Sequence, residues 1–196
     1  MSRRQAIMAP VTIKRQRVFV CRSLSELSSV PAPTDVEVRN VTAENVGMAQ
    51  ALRGAQVAAK FAKFLTEGQI GVYAVHAGRV VGHGWLILCA VNAQVANRYF
   101  ALRPAQALIH FCYVEESMRG RNVFPAMLRE LARHAFDGPI QELFVDTGTK
   151  NQSSIRGIVK AGFRPAGYLT CVLLFGVSVY SRYSSVQNEA DLCPLT

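Results

Sequence analysis

An apolar strand that runs into a basic, glycine-containing turn and then an amphipathic helix limits the fold of this chain more than any other feature. The strand covers residues 108–114, and the turn contains Arg119, Gly120 and Arg121. Such a turn aims backbone N–H groups at an anion. The helix should begin near Asn122 and pack one apolar face on a sheet. That face carries Phe124, Met127, Leu128, Leu131 and Ala135.

A second strand and helix follow directly. A short strand is predicted at residues 143–146, which read Leu-Phe-Val-Asp, and Asn151 precedes a short predicted helix. Gly162 marks the end of this helix, because glycine is preferred just past a helix C-terminus. Lys160 lies in the last turn, where it faces the negative end of the helix dipole. The two units give the β-α-β-α order of an α/β domain.

Two motifs in these units resemble the acyl-coenzyme A site of the GNAT (GCN5-related) N-acetyltransferases. The first reads Val-Glu-Glu-Ser-Met-Arg-Gly-Arg over residues 114–121. The second pairs Asn-Gln-Ser-Ser at 151–154 with Lys-Ala-Gly-Phe at 160–163. The resemblance covers roughly the second half of the core. It implies an α/β fold of the α+β type, with a mixed, mostly antiparallel central sheet splayed at its fourth strand and helices on both faces.

The same resemblance implies that the turn amides hold the pyrophosphate of coenzyme A, although two positions depart from the family pattern. Arg119 matches, whereas Asn122 replaces the first motif glycine and Phe124 the second small residue. Asn tolerates a left-handed backbone better than other non-glycine residues. Phe124 followed by Pro125 resembles a subgroup with an aromatic and a proline at these positions. The implied cofactor-binding residues are Val114, Arg119, Gly120, Arg121, Asn122, Val123, Phe124, Asn151 and Ser154.

More specific expectations apply to three residues in and between the two parts of the second motif. The resemblance implies that Asn151 bonds the pantetheine arm or nearby backbone and that Ser154 lies beside the cofactor. Gly157 inside a helix costs up to about 1 kcal/mol relative to alanine. Close approach of the cofactor or of a strand would explain it, and a suboptimal helix is the alternative.

The resemblance places the chemistry, attack of an amine on the thioester of acetyl-CoA, on the strand 108–114. Cys112 would offer its amide to the thioester carbonyl, with an unreactive thiol. Leu108 stands where some family members carry a glutamate base, so we interpret His110 as the base, since histidine accepts a proton at neutral pH. Strand alternation would put Leu108, His110, Cys112 and Val114 on one face. A histidine packed or hydrogen-bonded within the sheet is an equally good interpretation of His110.

The general acid is not assigned. The family tyrosine that protonates the departing thiolate falls at Ile158. Ser153 and Tyr113 are weak candidates for this role, and solvent is the alternative.

Composition favours a single domain that binds an anion. The 196 residues are 50% hydrophobic and carry a formal net charge of +9, which is consistent with one sizeable core. The charge suits a polyanionic cofactor, and equally nucleic acid, an acidic carrier protein or an anionic membrane. Scattered basic residues without an RNA-binding or zinc-finger motif disfavour nucleic acid.

Cysteine and histidine usage predicts free thiols and no metal. The five cysteines lack any C-x-x-C pair, which is typical of a reducing compartment. The four histidines lack metal-ligand spacing. No secretory signal or membrane-spanning run is evident, so we expect a cytoplasmic protein.

The remaining segments complete the order of elements in the GNAT fold. Strands are predicted at 17–21 and 36–39, followed by a helical region at 43–65 that is capped by Thr42 and broken near Gly54. A hairpin is predicted at 70–76 and 79–88, then a loop at 92–104. Buried strands are predicted within 168–180. We expect a GNAT domain at 35–183, an N-terminal extension at 1–34 and a tail at 184–196. The extra strand of the extension would serve a homodimer interface or its own sheet edge.

The acceptor is the least constrained part of the function. Our first expectation is a primary amine of a small metabolite, such as an amino sugar or amino acid, and a protein amine comes second. Two alternatives are a long-chain N-acyl amino acid or acyl-homoserine lactone type synthase fed by acyl carrier protein, and a non-catalytic acyl-CoA-binding module. Candidate pocket residues, each also a normal core residue, are Phe61, Phe64, His83, Trp85 and Tyr99.

Overall fold

One sheet of eight β-strands organises the computed structural model, which describes residues 11–31, 33–89, 101–175 and 177–185. The strands are β1 (Val11–Cys21), β2 (Val36–Asn40), β3 (Ile70–His76), β4 (Arg79–Leu88), β5 (Gln106–Val114), β6 (Glu142–Gly148), β7 (Arg164–Leu174) and β8 (Val177–Ser185). Their spatial order is β2-β3-β4-β5-β6-β1-β7-β8. Neighbouring strands pair antiparallel except β5 and β6, which are parallel. The mixed, mostly antiparallel sheet is thereby confirmed.

Helices cover both faces of the sheet. They are α1 (Gln50–Arg53), α2 (Ala55–Thr66), α3 (Val123–Phe136) and α4 (Gln152–Lys160), with 3₁₀ turns at Leu24–Glu26, Val46–Ala49 and Glu116–Met118. Successive strand residues point to opposite faces, so Trp85 of β4 packs with Phe61 and Phe64 of α2, whereas Leu86 packs with Leu131 of α3. No helix in the described part of the chain is both long and apolar enough to cross a membrane.

β1 lies inside the sheet. It pairs with β6 on one side, from Gln16 to Cys21, and with β7 on the other, from Val11 to Val20. The strand is longer than the predicted 17–21, and it is not a free sheet edge; the dimer interface stays a prediction. Phe19 packs in the core beneath α3 and α4, and Val18 packs on the opposite face. The N-terminal segment is therefore part of the same sheet as the predicted domain at 35–183.

β5 and β6 separate part-way along their length. Their parallel pairing runs from Gln106 with Glu142 to Ile109 with Val145 and ends there, although β5 continues to Val114 and β6 to Gly148. This is the splay that the resemblance implied, since β5 is the fourth strand counted from residue 35. The opening lies at the carboxyl ends of two parallel strands, a common place for a ligand site.

A bulge in β5 corrects the predicted strand alternation. Phe111 has a left-handed φ of +50°, and the register with β4 shifts between His83 and Trp85. Beyond the bulge the faces exchange. Cys112 therefore packs towards α3, on the face opposite to His110, whose ring contacts Phe64 of α2. The prediction that Cys112 and Val114 share a face with Leu108 and His110 was wrong.

Several local predictions are confirmed. The hairpin turns through Ala77 and Gly78, which both have positive φ, and the helical region breaks at Gly54. Asn122 is left-handed, with φ of +64°, and precedes α3. Gly162 has φ of +102° just after α4.

Other predictions from the sequence change in detail or fall outside the described residues. The apolar run at 168–180 divides into β7 and β8. Cys21, Cys112 and Cys171 are free thiols. Cys193, Tyr99 and most of the predicted loop at 92–104 lie outside the described residues.

Phe19→Ala tests whether β1 is structural. The side chain is fully buried, so the free energy of unfolding should fall by about 3–5 kcal/mol. Urea denaturation measures the change, and Ile13→Ala, at a side chain 65% exposed on the same strand, should shift stability by less than about 0.5 kcal/mol. Equal effects of the two substitutions would contradict the inserted position of β1.

Candidate active site

A cavity of about 620 Å³ lies between the start of α3, the end of β5 and the start of α4. We call it the α3 cavity. It is lined by Cys112, Tyr113, Val114, Met118, Arg119, Gly120, Asn122, Val123, Phe124, Pro125, Asn151, Ser153, Ser154, Arg156, Gly157 and Lys160. Eight of the nine predicted cofactor-binding residues are among them, and Arg121 is not.

The N-terminus of α3 faces this cavity without a side-chain cap. Gly120 and Asn122 both have positive φ, which bends the chain sharply into the helix. The Asn122 amide donates to the Pro31 carbonyl at 3.4 Å and does not cap α3. The first-turn N–H groups of a helix have no intrahelical partner and carry the positive end of the dipole. The arrangement favours an anion.

Three cationic side chains line the α3 cavity, and no acidic side chain does so among its described lining residues. They are Arg119, Arg156 and Lys160. The Arg119 guanidinium also donates to the Val114 carbonyl at 3.4 Å, which holds it across the turn. Sequence reasoning missed the position of Arg156 and Lys160 in the cavity wall, although their four-residue spacing puts them on one face of α4. The cavity is electrostatically suited to a molecule with several phosphates.

Arg121 points away from the cavity. Its guanidinium donates to the Asp35 carboxylate at 2.6 Å, and this hydrogen bond holds the Asp35 pKa below its usual value. The pair connects the turn before α3 with the segment before β2. The Arg121 side chain thus makes a structural contact, and the cofactor contact that the resemblance implied at this position stays a prediction.

Asn151 organises the start of α4. Its side-chain oxygen accepts a hydrogen bond from the Ser154 backbone N–H at 3.2 Å, which caps the helix. This matches the expectation that Asn151 bonds nearby backbone. The capping bond fixes α4 against the cavity wall.

Gly157 allows an aromatic ring to approach α4. A Cβ atom at this position would lie 2.7 Å from Cδ1 of Phe124, closer than van der Waals contact permits. The close approach anticipated at Gly157 is thus made by Phe124 of α3. The glycine and the unusual aromatic of the turn form one packing unit.

A second cavity, also about 620 Å³, occupies the opening between β5 and β6, and we call it the splay cavity. It is lined by Gln16, Lys60, Phe64, Gln69, Ile87, Ile109, His110, Phe111, Cys112, Phe124, Val145, Asp146, Thr147, Gly148, Asn151, Ser154 and Ile158. Cys112, Phe124, Asn151 and Ser154 also line the α3 cavity. The two cavities therefore meet at the splay.

His110 lines the splay cavity and is neutral at physiological pH. Its Nε2 and Oε1 of Gln69 are 2.8 Å apart. Burial, together with the positive charge of Lys60, lowers the His110 pKa to about 4. The ammonium of Lys60 lies over the Phe111 ring, 4.1 Å from its centroid. His110 is therefore hydrogen-bonded, as the second interpretation of this residue expected. Its role as the catalytic base stays a prediction.

Cys112 lies beyond the last residue pair of β5 and β6, at the junction of the cavities. Its thiol is 3.6 Å from the His110 carbonyl, to which it donates. Burial raises the thiol pKa to about 12, so the sulfur is protonated at neutral pH and poorly nucleophilic.

Sequence reasoning missed the polar residues that the sheet brings to the splay cavity from distant segments. They are Gln16, Lys60, Gln69 and Asp146. Burial raises the Asp146 pKa to about 6. No motif contains these residues, and Gln16 comes from β1, so only the strand order reveals them.

Most candidate acceptor residues belong to the core. Phe61, His83 and Trp85 are fully buried in an aromatic cluster. Burial, followed by the charge of Arg53, lowers the His83 pKa to about 3. Phe64 alone of the described candidates lines the splay cavity.

The position of the family tyrosine offers no hydroxyl. Ile158 is fully buried and lines the splay cavity, whereas Ser153 and Tyr113 line the α3 cavity. Within the described ranges, no group of three or more His, Cys, Asp or Glu residues could hold a metal ion.

The comparisons with known proteins identify the family. Residues 42–163 match the family model for the acetyltransferase (GNAT) family, and the chain belongs to this family. No curated protein matches the sequence.

Solved structures share the fold at low identity. An acetyltransferase of the GNAT family from Colwellia psychrerythraea has a TM-score of 0.58 and 18% identity, over 84% of this chain and 56% of its own. A GCN5-related N-acetyltransferase from Kribbella flavida has a TM-score of 0.56 and 16% identity, over 83% and 59%. AAC(6')-Iy, in complex with the bisubstrate analogue CoA-S-monomethyl-acetylneamine, has a TM-score of 0.53 and 14% identity, over 66% and 90%. This chain spans little more than half the length of the first two.

Gly157→Ala tests the packing unit at the cavity junction. The added methyl should push the Phe124 ring off α4 and into the cavities, and acetyl-CoA binding should weaken about tenfold, while helix propensity rises. Calorimetric titration with acetyl-CoA measures this. The double variant Phe124→Leu, Gly157→Ala should recover most of the affinity, and no loss in the single variant would refute the coupling.

Proposed function

We propose that this protein is an acyl-CoA-dependent N-acyltransferase that transfers acetyl from acetyl-CoA to a primary amine of a small metabolite by direct attack. One observation carries the proposal: a cavity with three cationic side chains and an uncapped helix N-terminus joins, at the sheet splay, a second cavity with polar side chains.

Coenzyme A fits the α3 cavity chemically. The molecule carries a pyrophosphate and a further phosphate, and the cavity offers Arg119, Arg156 and Lys160 together with the α3 N-terminus. The Asn151 and Ser154 side chains lie where the cavity continues into the splay. They would hold the amide-rich pantetheine arm.

A neighbour of the same fold supports the choice of an amine acceptor. The bisubstrate analogue in the AAC(6')-Iy complex joins CoA to acetylneamine. Transfer of this chemistry to the present chain is part of the proposal. The Phe124 ring at the junction of the cavities favours a short acyl group over a long chain.

The reaction would proceed in the splay cavity. The amine nitrogen attacks the thioester carbonyl carbon, and the Cys112 backbone N–H would stabilise the oxyanion. The C–N bond forms and the C–S bond breaks. The departing thiolate takes the proton that the nitrogen loses at this step, either directly or through solvent. Since Ile158 replaces the family tyrosine, no side-chain acid is assigned.

Charge reversal in the α3 cavity tests the cofactor site. Arg119→Glu and Arg156→Glu should each weaken acetyl-CoA binding at least tenfold, or about 1.4 kcal/mol of binding free energy, because each replaces an attraction to phosphate with repulsion. Isothermal titration calorimetry measures this, with Arg133→Glu on the exposed side of α3 as the charge-matched control. Equal affinity in all three variants would place the cofactor elsewhere.

Turnover tests the acceptor class. Thiol release from acetyl-CoA should be stimulated by at least one amine in a panel of glucosamine, L-glutamate, L-lysine, spermidine and neamine. Binding and turnover with palmitoyl-CoA in preference to acetyl-CoA would favour the long-chain synthase. Acetyl-CoA binding without turnover across the panel would contradict the proposed activity.

A further inference from the structure

Asp146 and His110 occupy equivalent positions where the sheet opens. The last parallel pair is Ile109 with Val145, and these two residues follow it directly on β5 and β6. Leu108 and Phe144, two residues earlier, pack together on the sheet face opposite to α3. Strand alternation therefore directs His110 and Asp146 to this same face, and both line the splay cavity.

Asp146 is a partly buried carboxylate without a cationic partner among the described residues. No ion pair and no hydrogen bond to another side chain is formed by it within the described residues. The titratable and charged groups around it are His110 and Cys112 on β5, Cys171 on β7, Lys14 on β1 beside Cys171, and Lys60 on α2 beside His110. An uncompensated buried charge is costly, which is typical of a group kept for function.

Gln16 lines the same cavity and carries an unsatisfied acceptor. Its Oε1 is buried and has no hydrogen-bond partner among the described residues. Val18 pairs with Asp146 and Gln16 with Gly148, so Gln16 and Asp146 are diagonal neighbours on one sheet face. The inserted strand β1 thus adds a polar group to the cavity.

We propose that the acceptor amine binds as an ammonium ion between the Asp146 carboxylate and Oε1 of Gln16, and that Asp146 removes a proton from it before attack. This inference rests on the proposed function and deepens it. An ammonium group has donors only. Oε1 of Gln16 has no donor among the described residues, and the Asp146 carboxylate has none besides its own backbone N–H. Neutral His110 does not repel the cation.

The proton balance is complete with the groups named. The ammonium ion gives one proton to Asp146 and becomes a neutral amine, which attacks the thioester. The second proton leaves the nitrogen as the C–S bond breaks and goes to the thiolate. Asp146 then returns its proton to solvent, so each turnover yields the amide, free coenzyme A and one proton.

Asp146 suits this role better than His110 does. Catalysis favours a base whose pKa is close to the working pH. Burial raises the Asp146 pKa to about 6, whereas it lowers that of His110 to about 4. The ionised carboxylate therefore accepts a proton at neutral pH more readily than the imidazole does.

The test compares pH profiles of kcat/KM from pH 4.5 to 9 for the panel amine that the wild-type protein acetylates fastest. Activity of the wild type should fall below about pH 6, where Asp146 is protonated. Asp146→Asn should lower kcat by about 100-fold or more and abolish this acid limb, with acetyl-CoA affinity unchanged. His110→Gln should keep the limb, and Gln16→Leu should keep it while raising the amine KM. Asp137→Asn, at an exposed position after α3, is the control.

Stability supplies a readout that is independent of turnover. A carboxyl whose folded-state pKa is raised holds its proton more tightly when folded, so stability is lost as pH rises from about 4 to about 6. Asp146→Asn removes this loss. The Tm of Asp146→Asn minus the Tm of the wild type should therefore be larger at pH 7.5 than at pH 4.

The outcomes separate the two proposals. An Asp146→Asn variant that keeps the acid limb, or a His110→Gln variant that loses it, would overturn the role of Asp146. If the wild type binds acetyl-CoA but acetylates no amine, the proposed function fails. The amine site is then judged by calorimetry with neamine: weaker binding to Asp146→Asn than to wild type at pH 7.5 supports it, and equal binding overturns it.

Discussion

The separation of β5 from β6 after Ile109 and Val145 is the constraint on which the site depends. A parallel pair that ends part-way leaves backbone and side chains on two strands without sheet neighbours. The gap joins the cavity at the N-terminus of α3 to the splay cavity, which reaches Lys60 and Phe64 of α2 on the other face of the sheet. In the proposed function, the acyl-CoA donor and the amine approach one point from these two cavities.

The bulge at Phe111 places side chains of β5 on both sides of this junction. One left-handed residue reverses the faces of β5, so His110 lies on the α2 side and Cys112 on the α3 side. Without it, alternation would direct both side chains to the same face. The strain of a non-glycine residue at positive φ is thus located where the strand changes partners, as is common at functional sites.

Local patterns predicted local structure well. The left-handed Asn122, the break at Gly54 and the hairpin at Ala77 and Gly78 each follow from the conformational preferences of the residues concerned. The cavity at the start of α3 was likewise foreseen in large part, because its residues come from two short segments, 112–125 and 151–160. Alternation failed at Phe111, since a bulge depends on how β4 and β5 pair and not on composition.

The sequence by itself determined the family and the location of the turn that we propose as an anion site, because these depend on short-range spacing. Tertiary structure alone decided that β1 lies between β6 and β7 and so brings Gln16 beside Asp146. Strand order and register bring together residues more than a hundred positions apart. The hydrophobic periodicity of the sequence does not indicate which strands pair. The environment that raises the pKa of Asp146 is therefore a property of the assembled sheet.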